Sequence, residues 1–474
     1  MTRRTRIVCT LGPASRSPEI IRALIDAGMD VARLNTSHGM LDEHVGMVQM
    51  VRTEAKAMGR HIGVMMDLSG PKLRTASDTV PIVVAAGQEV TLTGSAAVDA
   101  HLRIMYPRLC QEIAAGERVL VDDGAVSLVV IEPLGNTLRC RAMNAGVIVA
   151  NKGVAFPDSE LSLPAVTERD ARAIAAGVAA GVDFFALSFV QVAGDIARAQ
   201  ELVRAAGGET PIIAKIERRV ALRNLDAILE LADGAMVARG DLGVELAPED
   251  VPIQQRVIIR AAAAHLVPVI TATQMLESMI HSPRPSRAEA SDVANAVWAL
   301  SDALMLSAET AVGEFPVQAV AMMDRIIRRA EQDPAAYSEV ARFEEQDDHG
   351  YVVALAAKQI VESDHAMKAV ICFTRTGRTA RLMSKVHPGA PIIAFSPQAE
   401  TCRQLGLARG VEAILAPQVE TSEDLLRMTD RMLLENGRLQ AGDEVVVVAS
   451  LPVRSSGATN FLKLHRMGES GDYA

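Results

Sequence analysis

Short, nearly continuous apolar runs recur along this chain, each followed by a segment whose apolar residues fall three and four apart. Runs with strand character begin near Ile7 (IVCTLG), Val31 (VARLN) and Gly63 (GVMMDLSG), separated by helix-like segments such as Ile20 to Ala27 and His44 to Met58. The rhythm resumes at Phe184 (FFALSF), Ile212 (IIAKIE), Ala235 (AMVARGD), Pro268 (PVITATQ) and Ala303 (ALMLSAE), with helical patterns at Ile196 to Ala205, Ala221 to Ala232 and Arg256 to His265 between them. Three units and five units make eight, at a spacing of roughly 25 to 30 residues, which is the arithmetic of a closed (β/α)8 TIM barrel. Active sites of such barrels gather at the C-terminal ends of the strands, and the charged residues of these runs fall there.

The interval from about Lys72 to Pro164 is too long for one helix. It reads as short β runs (Val80 to Ala85, Glu89 to Leu92, Arg118 to Val121, Ala125 to Ile131, Leu138 to Met143) parted by Gly-rich or Asp-Gly turns. This predicts an inserted β-barrel-like domain that leaves the top of strand three, either as a hinged lid over the barrel mouth that excludes water or as an insertion that only decorates the surface. After about Asp333 an acidic stretch, Glu344-Glu345-Gln346-Asp347-Asp348, precedes a second alternating region. Its helices (Tyr351 to Glu362, Gly377 to Val386, Glu400 to Ala408, Ser422 to Asn436) separate strands (Ala369 to Phe373, Ile392 to Phe395, Ala413 to Leu415, Val445 to Ala449), predicting a C-terminal doubly wound α/β domain. The expected division is 1–71 with 165–333 for the barrel, 72–164 for the lid and 334–474 for the C-terminal domain.

Composition supports this picture. The 474 residues are 49% apolar but only 3% aromatic, as suits helices packed on parallel strands. A formal charge of -10 argues against a nucleic-acid partner. No apolar run approaches membrane-spanning length and Thr2 to Arg6 leads into too few apolar residues for a signal peptide, so a cytoplasmic protein is expected. Cys9, Cys110, Cys140, Cys372 and Cys402 are scattered, odd in number and without a Cys-x-x-Cys, which indicates neither a disulfide framework nor a zinc site.

Candidate chemistry sits at the strand ends. Lys215 and Glu217 are two apart, so on a strand they face the same side, and Asp241 arrives at the end of the next strand. Two carboxylates with an ammonium between them suit a divalent metal with hard oxygen ligands, and a Lys that stabilises developing negative charge. Gly240 and Asp241 begin a turn toward a helix from Leu242 onward, where their N–H groups could capture a carboxylate. Strand two ends in Arg33, Asn35, Thr36, Ser37, His38 and Gly39; strand three ends at Asp67, closely followed by Lys72 and Arg74. Arg33, Lys72, Arg74, Lys215 and Arg239 together place five cations around one mouth of an acidic protein, pointing to an anionic, phosphorylated substrate. Thr273 ends strand seven with a hydroxyl that could orient a substrate or pass a proton; Ser307 and Glu309 end strand eight, as relay or as helix-capping residues. In the C-terminal domain, Thr374, Arg375, Thr376, Gly377, Arg378 and Thr379 lie between a strand and a helix, either as a phosphate site or as an ordinary helix cap.

These segments together resemble the pyruvate kinase family. The match runs in order from about residue 3 to the C-terminus through Cys9 to Ser15, Ala32 to Asn35 with Ser37 to Gly39, Lys215-Ile216-Glu217, Met236 to Gly243, Ala272 to Met279, Pro283-Arg284-Pro285 and Ser291 to Ala296. The resemblance implies Mg2+-dependent transfer of a phosphoryl group from phosphoenolpyruvate to ADP, giving pyruvate and ATP, the closing step of glycolysis. It implies that Glu217 and Asp241 bind Mg2+ (or Mn2+), with a second Mg2+ arriving on ADP. Lys215 would stabilise the transition state and the enolate, Arg33 the phosphate, and Gly240, Asp241 and Thr273 the substrate carboxylate. Asn35, Ser37, His38, Arg74 and Lys152 match positions that meet the nucleotide. Thr273, Ser307 and Glu309 would relay a proton to enolpyruvate. The resemblance also implies a homotetramer and an allosteric phosphate site at Thr374 to Thr379, joined by the loop Arg454-Ser455-Ser456-Gly457, for a phosphorylated effector.

One departure changes an expectation. Members that need K+ surround it with Asn, Ser, Asp and a backbone carbonyl, often from Thr, and carry Glu at the position of Lys72. This chain keeps Asn35, Ser37 and Asp67 but has Leu68 and Lys72. A lysine ammonium there supplies the positive charge internally and repels a second cation, so K+ is expected not to be required. Thr36 and Ala308, where Phe and Gly are common in the family, are milder differences. The alternatives are a Mg2+-dependent pyruvate-enolate carbon-carbon lyase on a related barrel, which has no use for Arg33 with Asn35, Ser37, Arg74 and Lys152, and a non-catalytic sensor, which has no use for Lys215 and its carboxylates.

Overall fold

The computed structural model describes residues 3–333, 349–452 and 459–469. The acidic stretch from Glu344 to Asp348 and the loop from Arg454 to Gly457 lie outside the described residues. Eight parallel strands close into a barrel: Arg6–Leu11, Val31–Asn35, Gly63–Asp67, Phe184–Leu187, Ile212–Ile216, Gly234–Ala238, Val269–Ala272 and Ala303–Leu306, the last pairing with the first through Ile7 and Leu304. All but their end residues are buried, as expected of parallel strands covered by helices outside and side chains within. Val8, Met65, Ile213, Met236, Ile270 and Met305 are among those that fill the interior.

A closed parallel barrel leaves amides at the start of its strands in need of partners at the floor. Here an aspartate just before each even strand takes up the first or second amide of the strand preceding it. Asp30 Oδ2 accepts from Ile7 N at 2.8 Å, Asp183 Oδ2 from Val64 N at 2.7 Å, Asp233 Oδ2 from Ile212 N at 2.8 Å and Asp302 Oδ2 from Val269 N at 2.8 Å. The backbone N–H of each of these aspartates donates back to the carbonyl of the same partner, so the clasp is reciprocal four times over.

The C-terminal domain docks on this floor. Its sheet runs in the order Val411–Leu415, Ile392–Ser396, Met367–Phe373, Glu444–Ala449, Phe461–Arg466, parallel except for the last strand. That antiparallel edge strand, outside the sequence expectation, adds to a domain otherwise wound as predicted. Arg403 Nε bonds Asp183 Oδ1 at 2.8 Å and Lys385 Nζ bonds Asp302 Oδ2 at 2.5 Å, while Leu407 enters the apolar interior of the barrel. Arg6, paired with Asp30, reaches the carbonyls of Ala408 and Val411.

Between strands three and four rises a six-stranded, mostly antiparallel sheet with a two-stranded partner, Ile82–Val84 on Gly146–Ile148, around its own core that includes Val90, Leu92, Leu128, Leu138 and Phe156. The strands Leu102–Arg103, Gly146–Ile148 and Val154–Ala155 are too short to leave a pattern in the sequence. Two barrel helices also differ from expectation. The segment from Ala221 to Ala232 is two helices, Arg219–Arg223 and Leu225–Leu231, broken at Asn224, whose side-chain amide donates to the Gln191 carbonyl at 2.9 Å. The helix expected from Leu242 starts at Arg239 and runs to Glu245.

The Asp183 side chain is fully buried and bonded to Arg52, Arg403 and Val64 N. Asp183→Ala leaves two guanidinium groups and an amide without their acceptor, so a loss of about 3 to 5 kcal/mol is expected. The urea-unfolding midpoint of the purified variant measures it; a stability unchanged to within about 0.5 kcal/mol would contradict the clasp.

Candidate active site

At the opposite face of the barrel the strand ends hold a compact ionic cluster. Asp67, 1% exposed at the end of strand three, is its base. Its Oδ2 accepts from Arg33 Nε at 2.7 Å, and its Oδ1 lies 3.3 Å from Lys215 Nζ. Lys215 also meets Glu217 Oε1 at 2.7 Å, as the period of two requires, and donates to Ser188 Oγ at 2.7 Å. Ser188 in turn donates to the Leu68 carbonyl at 2.7 Å, and Phe189 N donates to Glu217 Oε2 at 2.8 Å. Arg33 Nη1 is held by Thr10 Oγ1 at 2.9 Å.

The electrostatics follow from this packing. Burial alone would raise the Asp67 carboxyl, but Arg33 and Lys215 reverse that and hold it below the usual carboxylate range. Burial alone would lower the Lys215 ammonium; Asp67 and Glu217 overcome it and keep the group charged, above the usual lysine value. Burial pushes the Glu217 carboxyl up against the pull of Lys215, and the nearby negative charge of Asp241 adds to the rise. Asp67 and Glu217 thus share Lys215, and Asp67 takes Arg33 as well, while the negative charge of Asp241 still bears on Glu217.

Asp241 stands on the first turn of the helix Arg239–Glu245, with Lys72 Nζ from the lid 3.9 Å from its Oδ1. Both side chains are more than one third exposed, so this is a weak, screened pair. Lys72, Asp123, Gly240, Asp241 and Gln274 help to line a cleft of about 600 Å³ between lid and barrel. Gly240 N donates to Thr273 Oγ1 at 2.8 Å, so that amide already has an acceptor. Thr273 and Gln274 have φ of 67° and 55°, a left-handed conformation that costs a β-branched residue on the order of 1 to 3 kcal/mol. Arg239 holds that turn: its guanidinium bonds Asp292 Oδ2 and the Thr273 carbonyl, both at 2.6 Å. It braces this turn and also lines the cleft with Lys72 and Asp241.

The remaining expected residues divide. Asn35 and Ser37 sit together, Asn35 Oδ1 accepting from Ser37 N at 3.1 Å, with exposed His38 beyond them. Arg74 and Lys152 stay on the lid, bonded to the Asn151 carbonyl at 2.8 Å and to Asp122 Oδ1 at 3.0 Å. Ser307 N donates to Glu309 Oε2 at 2.7 Å, and Leu276 N to Glu309 Oε1 at 3.1 Å; burial pushes this carboxyl up. Thr10 and Ser188 were assigned no role from sequence. Their only signal is position, on the first strand and one residue past the fourth.

In the C-terminal domain Thr374, Arg375, Thr376, Arg378 and Thr379 line a cavity of about 280 Å³ with Phe373, Phe395, Ser450 and Thr459. Gly377, at φ 82°, makes the turn between strand and helix, and Thr379 Oγ1 meets Thr459 Oγ1 at 2.8 Å. Among the described residues no three His, Cys, Asp or Glu side chains converge as a ready-made metal cage. The pair Glu217 and Asp241 still fits a divalent ion of the kind that takes one or two carboxylates and completes its shell with water and substrate oxygens, and their repulsion is what such an ion relieves.

Comparison with known proteins agrees with this architecture. The model of the pyruvate kinase barrel domain matches residues 2–320, and that of the pyruvate kinase alpha/beta domain matches residues 352–465. The pyruvate kinase of Mycobacterium tuberculosis is 43% identical over 472 residues, covering 99% of both chains, and that of Corynebacterium glutamicum is 40% identical over 474 residues, covering 99% of this chain and 98% of its own. A crystal structure of a pyruvate kinase from Cryptosporidium parvum superposes with a TM-score of 0.91 at 34% identity, over 98% of this chain and 96% of that one. Similarity that extends through barrel, lid and C-terminal domain leaves no part of the architecture to another family, and the chain belongs to the pyruvate kinase family.

Proposed function

We propose that the barrel mouth transfers the phosphoryl group of phosphoenolpyruvate to ADP, yielding pyruvate and ATP, through the residues gathered there. The observation that carries this is the sharing of one buried carboxylate, Asp67, between Arg33 and Lys215, beside the carboxylate pair Glu217 and Asp241. Phosphoryl transfer needs positioning and charge neutralisation more than covalent help. Arg33, gripped through Nε and Nη1, presents a fixed guanidinium to the phosphate. Lys215 remains protonated and stabilises charge on the phosphoryl group and then on the enolate. Glu217 and Asp241 would hold Mg2+ (or Mn2+), which when bound supplies further positive charge to the phosphoryl oxygens. The substrate carboxylate lies against the first turn of the Arg239–Glu245 helix, with Thr273 Oγ1 releasing Gly240 N to it. Asn35, Ser37, His38, Arg74 and Lys152 face the nucleotide once the lid closes, and a second divalent ion arrives with ADP. Ser307, Glu309 and Thr273 pass the proton that converts enolpyruvate to pyruvate.

The wider organisation follows the same reading: residues 1–71 and 165–333 catalyse, 72–164 close over the mouth, and 334–474 regulate through a phosphorylated effector at Thr374 to Thr379. A homotetramer suits the exposed apolar side chains Ile253 and Val257, one turn apart on the helix Val251–Ala264, and Val352 and Leu355 on His349–Ser363 near the edge strand that carries Leu464. The place of work is the cytoplasm.

K+ is not needed. Three of the four groups that would ligate it already accept bonds: Asp67 from Arg33 and Lys215, the Leu68 carbonyl from Ser188, and Asn35 Oδ1 from Ser37 N. Lys72, which points at Asp241 in this lid position, adds its own charge to the mouth.

Purified protein given phosphoenolpyruvate and Mg-ADP is expected to form pyruvate and ATP in equal amounts, and Lys215→Met to lose at least about a thousandfold in kcat while still binding Mn2+ by electron paramagnetic resonance. Pyruvate without ATP would favour the lyase instead. With tetramethylammonium as the only monovalent cation, activity is expected within about twofold of that in K+; strong activation by added K+ would sink this expectation. Arg378→Ala is expected to weaken activation by phosphorylated metabolites, tried as fructose 1,6-bisphosphate, AMP and a sugar monophosphate, and to leave unactivated turnover intact; undiminished activation would remove the loop from consideration.

A further inference from the structure

The helix Arg378–Val386 of the C-terminal domain ends on the catalytic barrel. Lys385, 3% exposed in its last turn, bonds Asp302 Oδ2 at 2.5 Å, and that same oxygen accepts from Val269 N at 2.8 Å. Asp302 Oδ1 is buried with no protein partner, so among the described contacts the ammonium of Lys385 is the one cation bonded to this carboxylate. Asp302 directly precedes strand eight, Ala303–Leu306, an extended rod of about 13 Å packed on both faces. At the far end of the rod the Leu306 carbonyl accepts from Thr10 Oγ1 at 2.9 Å, and Thr10 Oγ1 accepts from Arg33 Nη1 at 2.9 Å. The Thr310 hydroxyl, just past the same strand, donates to the Thr10 carbonyl at 2.8 Å and fixes the residue a second time. A continuous set of bonds thus runs from the C-terminal domain, through one strand, to the guanidinium at the mouth.

We propose that Lys385 is a positioning residue for phosphoenolpyruvate binding, acting through Asp302, strand eight, the Leu306 carbonyl and Thr10 on the orientation of Arg33. Without the ammonium, the buried Asp302 carboxylate moves toward water and draws the start of strand eight with it. The Leu306 carbonyl then shifts, and Thr10 no longer holds Nη1 in line with Asp67. A fork that binds in two places tolerates little displacement, so the loss falls on the affinity for the phosphate-bearing substrate. Lys215, Glu217 and Asp241 lie on strands five and six and their following turns, whereas Ser307 and Glu309 directly follow strand eight, so turnover falls as well, while the ADP side of the mouth, at Asn35, Ser37, Arg74 and Lys152, lies off this path. This inference rests on the reading that Arg33 receives the substrate phosphate.

Steady-state kinetics of Lys385→Met test it. KM for phosphoenolpyruvate is expected to rise about fivefold or more, with KM for ADP within about twofold of wild type, and Lys385→Arg to restore the wild-type value. Because Lys385→Met strands a buried carboxylate and risks unfolding, the double variant Lys385→Met with Asp302→Asn serves as its control: the amide oxygen still accepts from Val269 N and no buried charge is left. The double variant is expected to recover thermal stability and to keep the raised KM. A KM for phosphoenolpyruvate that stays within twofold of wild type in both variants, or that recovers together with stability, would overturn the proposal. Arg33→Gln separates the underlying reading: if its KM for phosphoenolpyruvate is unchanged, the role given to Arg33 fails; if it rises while that of both Lys385 variants does not, the positioning role of Lys385 fails alone.

Discussion

The four aspartates at the barrel floor are the constraint on which the rest of the molecule depends. Closing parallel strands into a ring leaves amides at the strand starts in need of partners, and a carboxylate placed before each even strand bonds them. A buried carboxylate in turn demands a cation. Asp30 takes Arg3 and Arg6 from the start of the chain, and Asp183 takes Arg52 together with Arg403; Asp302 takes Lys385. Two of these partners come from the C-terminal domain, so the way the barrel satisfies its floor is also the way the chain joins its two largest parts.

The mouth obeys the same rule and stops short of satisfying it. Asp67 is as deeply buried as Asp183 and Asp302 at the floor and is paired with two cations, Arg33 and Lys215. Glu217 shares Lys215 with Asp67, and Asp241 has only the more distant, solvent-screened Lys72, so its negative charge still bears on Glu217. Close pairing makes a foundation, while the loosely paired Asp241 at the open end leaves negative charge of the kind that a divalent cation relieves. The left-handed Thr273 and Gln274 belong to the same end, where Arg239 and Asp292 hold a turn that local preference opposes.

How much of this was legible in the sequence depended on the range of the interaction. The eight barrel strands stand out because strands buried on both faces are uninterrupted apolar runs, and Lys215 with Glu217 could be put on one side because the period of a strand is two. Asn224 breaks a helix by reaching the Gln191 carbonyl, which no local pattern contains. The Phe461–Arg466 strand alternates toward an exposed edge, a weaker signal than an apolar run. Arg239 reads as one more cation at a strand end until Asp292, distant in sequence, claims it. Asp30, Asp183, Asp233 and Asp302 were visible as residues before apolar runs, but the amide each one bonds belongs to another strand. Thr10 and Ser188 were hidden for the same reason, since their importance lies in what they hold.

Leu407 gives the domain arrangement a consequence of another kind. Its side chain belongs to the packed interior of the barrel although it comes from the C-terminal domain. A chain ending before that domain would have an opening at the base of its barrel, with the carboxylates of Asp183 and Asp302 deprived of their partners Arg403 and Lys385. The catalytic and C-terminal parts are therefore poor candidates for exchange between genes: each generation of descent must pass them on together, and a change at the floor on one side calls for a matching change on the other.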